Sequence, residues 1–210
     1  ALCGLRNGEM CALQEERVNL TAKKAFISKT LTRIDQEYAR NLPPNSGIEP
    51  LWKTIKSDKA KTVLALSPTK TEASENFVPL PDVVIAELEV LEKERKWHKQ
   101  LLGKAYHDNG LVCCWPDGTP YEPNYVNKQF HKLVEAYNLT AEEPLPILRV
   151  HDLRHTHATL LLREKVDIKV VARGLRQSNP SFTRAKYQHV LDDMVSEPAT
   201  VINNLFKTAK

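Results

Sequence analysis

The chain of 210 residues is 41% hydrophobic and 27% charged, a balance suited to a globular domain with a buried core. No apolar run approaches the length needed to cross a bilayer, and the four cysteines (Cys3, Cys11, Cys113, Cys114) lack both metal-site spacing and the density of a disulfide framework. These features exclude a membrane-spanning helix bundle and a stapled secreted scaffold, and point to a cytoplasmic protein with reduced thiols.

The start, Ala1-Leu2-Cys3-Gly4-Leu5-Arg6, has neither an initiator methionine nor a signal-peptide pattern. It reads as a chain cut within a helix, so a further domain is expected before it. Residues 5–15 predict a helix with Leu5, Cys11 or Ala12, and Leu13 turned inward. Ala25–Leu31, Thr62–Leu66 and Phe77–Leu80 predict three strands of one small antiparallel sheet. Between the first two, Asp35–Lys61 carries Pro43-Pro44-Asn45-Ser46-Gly47 and Pro50, which reads as a long, turn-rich insertion in a hairpin. After Pro81, Asp82 opens a helix through Val84, Leu88 and Leu91 that Gly103 ends. Leu111–Trp115 is a short apolar run closed by the turn Pro116-Asp117-Gly118-Thr119-Pro120. A helix from Asn124 through Tyr137 follows, then helical segments near 151–165, 168–175 and 180–189, and a tail from about 192. The fold class is therefore mainly α with a small antiparallel β-sheet, an α+β domain.

The chemistry gathers in the last third. Between Leu145 and Val190 nine basic residues, Arg173, Arg176 and Lys186 among them, stand against three acidic ones. The local net charge of +6 exceeds the +4 of the whole chain. Such a concentration is the footprint of a polyanionic partner. Within it, His151 and Arg154 share one helix face, because residues three apart are surface neighbours. Arginine matches phosphate oxygens with a planar fork of donors, and histidine moves a proton near neutral pH. Tyr187, 33 residues beyond Arg154, adds a candidate nucleophile. Together the three suggest phosphoryl transfer through a covalent tyrosine. His151 and His155, four apart, have the spacing of zinc-protease ligands, but Asp152 stands where the general-base glutamate belongs and Arg154 lies between them. No metal is expected.

With those residues placed, nearly the whole chain resembles the catalytic domain of the tyrosine recombinases, the phage and transposon integrase family. Gly4-Leu5-Arg6-Asn7-Gly8-Glu9 is similar to the box holding the first catalytic arginine. Ser67-Pro68-Thr69-Lys70-Thr71 resembles the hairpin that carries the catalytic lysine. His151-Asp152-Leu153-Arg154-His155-Thr156-His157-Ala158-Thr159 is close to the second box residue for residue, and Tyr187-Gln188-His189-Val190 resembles the nucleophile box. One box departs: where the family usually has Leu-Gly-His-Ser, this chain reads Leu175-Arg176-Gln177-Ser178. Gln177 can donate to a phosphate oxygen but carries no charge. Arg176 stands at a glycine position, where a side chain crowds the turn.

The resemblance implies an enzyme that cuts and rejoins DNA through a 3′-phosphotyrosine without cofactor. The catalytic set it implies is Arg6, Lys70, His151, Arg154, Gln177 and Tyr187. Arg6 and Arg154 would grip the phosphate, His151 would be the base and Lys70 the general acid. Glu9 would orient Arg6, and His155 would bond or pack near the site. Arg173, Arg176 and Lys186 are the expected DNA contacts. The implied partners are double-stranded attachment sites, a homotetramer on DNA and a directionality factor. Residues 1–190 would form the catalytic domain, with 191–210 a helical tail docking on a neighbouring subunit. The rival reading is a catalytically silent, DNA-binding prophage relic, for which the Arg176-Gln177 departure speaks.

Overall fold

The computed structural model describes residues 2–52, 60–69, 75–177, 181 and 185–187. In chain order they form α1 (Asn7–Cys11), a 3-10 turn at Glu15–Arg17, β1 (Val18–Asn19), β2 (Lys24–Ile27), β3 (Lys29–Asp35), α2 (Gln36–Arg40), β4 (Glu49–Pro50), β5 (Thr62–Pro68) and β6 (Asn76–Pro79). Helices α3 (Asp82–Leu102), α4 (Pro123–Asn138), α5 (Val150–Arg163) and α6 (Ile168–Gly174) follow. The mainly helical α+β class expected from the sequence is what the chain adopts.

Two antiparallel three-stranded sheets replace the expected single one, with strand orders β1-β2-β6 and β3-β5-β4. The predicted strand Ala25–Leu31 is in fact two, divided at Ser28. On one side Ala25 pairs with Val78, and on the other Leu31 pairs with Leu66. The insertion of residues 35–61 also carries structure. Asp35 caps α2 by accepting from the amides of Glu37 and Tyr38. Glu49–Pro50 adds a short edge strand opposite Ala65 and Leu66, an edge position that suits proline. The first predicted helix is shorter than 5–15, running only Asn7–Cys11.

Each sheet supplies one apolar cluster. Leu31, Leu64 and Leu66 pack with Cys11, Ala12 and Leu111. Ala25, Ile27, Val78 and Leu80 pack with Leu13 and Val112, and Val84, Ile85 and Leu88 of α3 close over them. The third cluster is helical: Ala158 and Leu162 of α5, Val171 of α6, Leu175 and Tyr187. The sequence spacing between Ala158, Leu162 and the α6 positions turns one stripe of each helix inward. Both the tyrosine and the arginine of interest are therefore anchored by the packing of α5 on α6. The expected hairpin lysine, Lys70, and the tail 191–210 lie outside the described residues. Among those residues no helix is long and apolar enough to cross a membrane.

Candidate active site

Helix α5 is capped by Arg149, whose backbone amide donates to Asp152 Oδ2 at 2.8 Å while its guanidinium bonds the same carboxylate. Those hydrogen bonds, side chain first, bring the Asp152 carboxyl down to about 2. The closed first turn fixes where α5 starts. The bonds of Arg154 to the Gly4 and Leu175 carbonyls and the packing of Ala158 and Leu162 set its rotation, and so which way His151, Arg154 and His155 point.

Arg154 points inward and is 3% exposed. Its Nη1 donates to the Gly4 carbonyl at 2.6 Å and its Nη2 to the Leu175 carbonyl. Two of its five donors thus tie the chain start to the end of α6. Burial foremost, then the neighbouring Arg6 charge, lower the guanidinium to about 10. Arg6 is more open, with 39% of its side chain accessible, and reaches Glu9 Oε1 at 2.5 Å. Glu9 Oε2 accepts the Arg6 amide at 2.8 Å, the reciprocal bond that opens α1. The two arginines of the sequence motifs are accordingly brought together, joined through the backbone of Gly4-Leu5-Arg6.

Gly4 is required at this junction. Its φ is +59°, and a Cβ there would lie 2.8 Å from His157 Cδ2 and 3.2 Å from Leu175 Cδ2. His157 therefore packs against the chain start and not into the site. Gly4→Ala is expected to lower unfolding stability by about 2 kcal/mol, from left-handed strain and displacement of packed neighbours. Urea denaturation measures this; an unchanged midpoint would show that the turn has another geometry.

The hydroxyl of Tyr187 lies 2.7 Å from His155 Nδ1. The structure places His155 on the tyrosine hydroxyl, while the ring of His151 stands edge-on to His155 with centroids 4.8 Å apart. Tyr187 itself is 3% exposed. Burial pushes its phenol up, and the positive charge of Arg154 offsets part of that rise. Burial also pushes the His155 imidazole down, helped by Lys186 and His151. His151 is lowered by burial and then by Arg154 and Lys186, and His157 is lowered chiefly by burial.

These three histidines share a sign. Each folded pKa lies below the ordinary value of about 6.5, so on acidification the unfolded chain takes up protons first. Their contribution to stability is complete above that value and is lost as pH falls toward the folded pKa values. The urea midpoint is expected to fall between pH 7 and pH 5, and to fall less in His157→Asn. A midpoint that rises over that interval would contradict the neutral rings.

Of the expected DNA contacts, Arg173 and Lys186 are exposed. Arg176 is not, and that expectation is corrected: its side chain is fully buried and its Nη2 pairs with Glu9 Oε2. The turn after α6 explains why. Arg176 takes a φ of +52°, and the amides of Arg176 and Gln177 return to the carbonyls of Arg173 and Ala172. Such a helix-ending turn suits glycine, and with an arginine there the side chain is swung back under α1. Gln177 follows at the rim, half-buried. Among the described residues no group of three or more His, Cys, Asp or Glu side chains is arranged to hold a metal ion.

The phage integrase family matches residues 1–194 of the chain. Curated relatives include an integrase of Staphylococcus phage L54a, 25% identical over 197 residues, covering 94% of this chain and 48% of the relative. Another is a XerC-like tyrosine recombinase of Caldanaerobacter subterraneus, 25% identical over 209 residues, with 97% of this chain and 47% of the relative covered. The chain spans about half the length of these relatives. Among solved structures, the Tn1549 transposon integrase in complex with transposon right-end DNA superposes with a TM-score of 0.67 at 19% identity, covering 94% of this chain and 56% of that one. XerA recombinase superposes with a TM-score of 0.59 at 17% identity, over 94% and 54% of the two chains. The fold around Arg6, Arg154 and Tyr187 is thus the recombinase catalytic fold, and the chain belongs to the phage integrase family.

Proposed function

We propose that this chain is the DNA breaking and rejoining domain of a site-specific recombinase, acting through a 3′-phosphotyrosine. The observation that carries the reading is the 2.7 Å contact between Tyr187 hydroxyl and His155 Nδ1, one residue along α5 from the buried Arg154. A phenol with a pKa near 10 needs a base to become a nucleophile. With His155 in the Nε2–H tautomer, Nδ1 takes the phenolic proton as the oxygen attacks phosphorus, and the edge-on His151 is the next site along the same helix for that proton. Arg6 and Arg154 supply positive charge where the pentavalent phosphate gathers negative charge. The leaving 5′-oxygen acquires a proton, a task we assign to Lys70 from its place in the sequence just beyond β5. Gln177 donates to the phosphate from its amide. The phosphotyrosine bond retains the energy of the broken phosphodiester, so a second 5′-hydroxyl reverses the step without nucleotide.

The exposed Arg173 and Lys186 face the DNA backbone in this reading, where arginine and lysine contacts position a duplex without reading its sequence. The DNA complex of the transposon integrase relative supports a duplex partner. Assembly would be a tetramer on two attachment sites, with residues 191–210 docking on a neighbouring subunit and a directionality factor choosing integration or excision. A cytoplasmic location follows from action on DNA.

The test is relaxation of supercoiled plasmid by this chain in EDTA and without ATP, with samples quenched in detergent and the adduct mapped by mass spectrometry. Relaxation with an adduct on Tyr187 is expected. Duplex binding with neither relaxation nor adduct would favour the silent relic.

A further inference from the structure

Arg176 is an unexpected residue in three respects. It occupies a left-handed backbone position at φ +52°. Its side chain is fully buried, and among the described residues its Nε finds no hydrogen-bond partner. Such a position is unfavourable for an arginine on backbone and solvation grounds alike. Buried ion pairs are poor sources of net stability, so packing does not account for this one.

What Arg176 touches suggests the reason. Glu9 is 2% exposed and accepts from three donors: the Arg6 amide, the Arg6 guanidinium and the Arg176 guanidinium. Burial works to raise the Glu9 carboxyl, yet Arg176 first, and then Arg6, hold it below the ordinary carboxylate value. A permanently charged Glu9 beside Arg6 would cancel the positive charge of Arg6 as felt by a phosphate. Arg176 restores it. The four side chains Arg6, Glu9, Arg154 and Arg176 together carry two net positive charges, and without Arg176 they would carry one. Cys3 and His157 also face Arg176, from the chain start and from α5, and neither is a second counter-ion.

We propose that Arg176 is a positioning residue for strand cleavage. It is the counter-ion that locks Glu9 and leaves the charge of Arg6 available to the scissile phosphate. This rests on the recombinase reading above. It also gives the site a third guanidinium one residue from the uncharged Gln177, paired with Glu9.

Arg176→Gln removes the charge while keeping a donor for Glu9. Two readouts follow it: single-turnover adduct formation on plasmid at saturating DNA, and inorganic phosphate titration followed by the NMR signals of the arginine side chains. Adduct formation and phosphate affinity are both expected to fall about tenfold, less than for loss of a direct oxyanion donor. Arg176→Lys should recover most of both. The double variant Glu9→Gln with Arg176→Gln should recover phosphate affinity, because removing both charges returns the net count to two; a purely structural pair would give no such rescue. Arg176→Gln equal to the wild type in both readouts, or a double variant no better than the single one, overturns the proposal. If the wild type binds phosphate with this order of variants yet never forms an adduct, the recombinase reading falls with the cleavage role, and what stands is Arg176 as the counter-ion of Glu9 in a phosphate-binding site. Should Arg176→Gln fail to fold, Glu9→Gln alone carries the comparison in the other direction: the net count rises to three and phosphate affinity should exceed that of the wild type, and an unchanged or weaker affinity overturns the proposal.

Discussion

Tyr187→Phe is expected to abolish both the covalent adduct and plasmid relaxation while leaving the fold and duplex binding in place. The ring is part of the α5–α6 cluster with Ala158, Leu162, Val171 and Leu175, and phenylalanine fills the same volume. What is lost is the hydroxyl and its bond to His155 Nδ1 at 2.7 Å. One such hydrogen bond contributes about 1 kcal/mol to stability, a small fraction of what a domain this size has. The catalytic effect is of another order, because no oxygen remains to form the phosphotyrosine. Detergent-trapped adducts and topoisomer ladders measure the first effect; gel shift on linear duplex measures the retained binding. A residual adduct in the variant would mean that a different hydroxyl is the nucleophile.

Arg154→Met should be nearly as damaging, for two separable reasons. An oxyanion donor contributes about 3–4 kcal/mol to lowering the barrier, so cleavage is expected to slow by about 10²–10³-fold. The side chain also closes a structural clasp, and without it the carbonyls of Gly4 and Leu175 are left buried without this partner. Each such orphan costs about 1–3 kcal/mol, so the variant should unfold at markedly lower urea. Arg154→Lys divides the two effects: an ammonium keeps the charge but lacks the planar fork that spans both carbonyls. It should regain part of the rate and little of the stability. If Arg154→Met changed the rate by less than about tenfold, the arginine would be a strut and not an oxyanion donor.

Much of this site was legible in the sequence, because its logic is local. The His151–Arg154 spacing fixes a shared helical face, and the basic segment around it announces a polyanion. The rest depends on rotation and burial, which the string of letters leaves open. His151 and His155 are four apart on the same helix, so spacing alone cannot say which meets Tyr187; the packing of Tyr187 with Ala158 and Leu162 and the carbonyl clasp on Arg154 decide it. An arginine in a basic stretch reads as solvent-facing, yet Arg176 is turned inward by its left-handed backbone; the glycine usual at that place pointed to the turn but not to where an arginine side chain would go. The break at Ser28 is hidden for a different reason. Ala25, Ile27 and Leu31 keep the same two-residue parity across it, although Ile27 and Leu31 belong to different sheets and different clusters. A period of two records which side a residue faces, not which sheet it joins.

The clasp on Arg154 is made of carbonyl oxygens, and that sets how the protein can drift. A side-chain partner is lost by substitution, whereas a carbonyl is supplied by any residue in its place. Leu175 can therefore exchange for other apolar residues of similar bulk with little consequence for the guanidinium, while Gly4 is held by its own backbone conformation. Length is another matter. One residue added or removed between Gly4 and Arg6, or between Val171 and Arg176, would move a carbonyl by about 3 Å or more and release the arginine. Lineages of this chain should vary freely in length between α2 and β4, and hardly at all in those two short stretches.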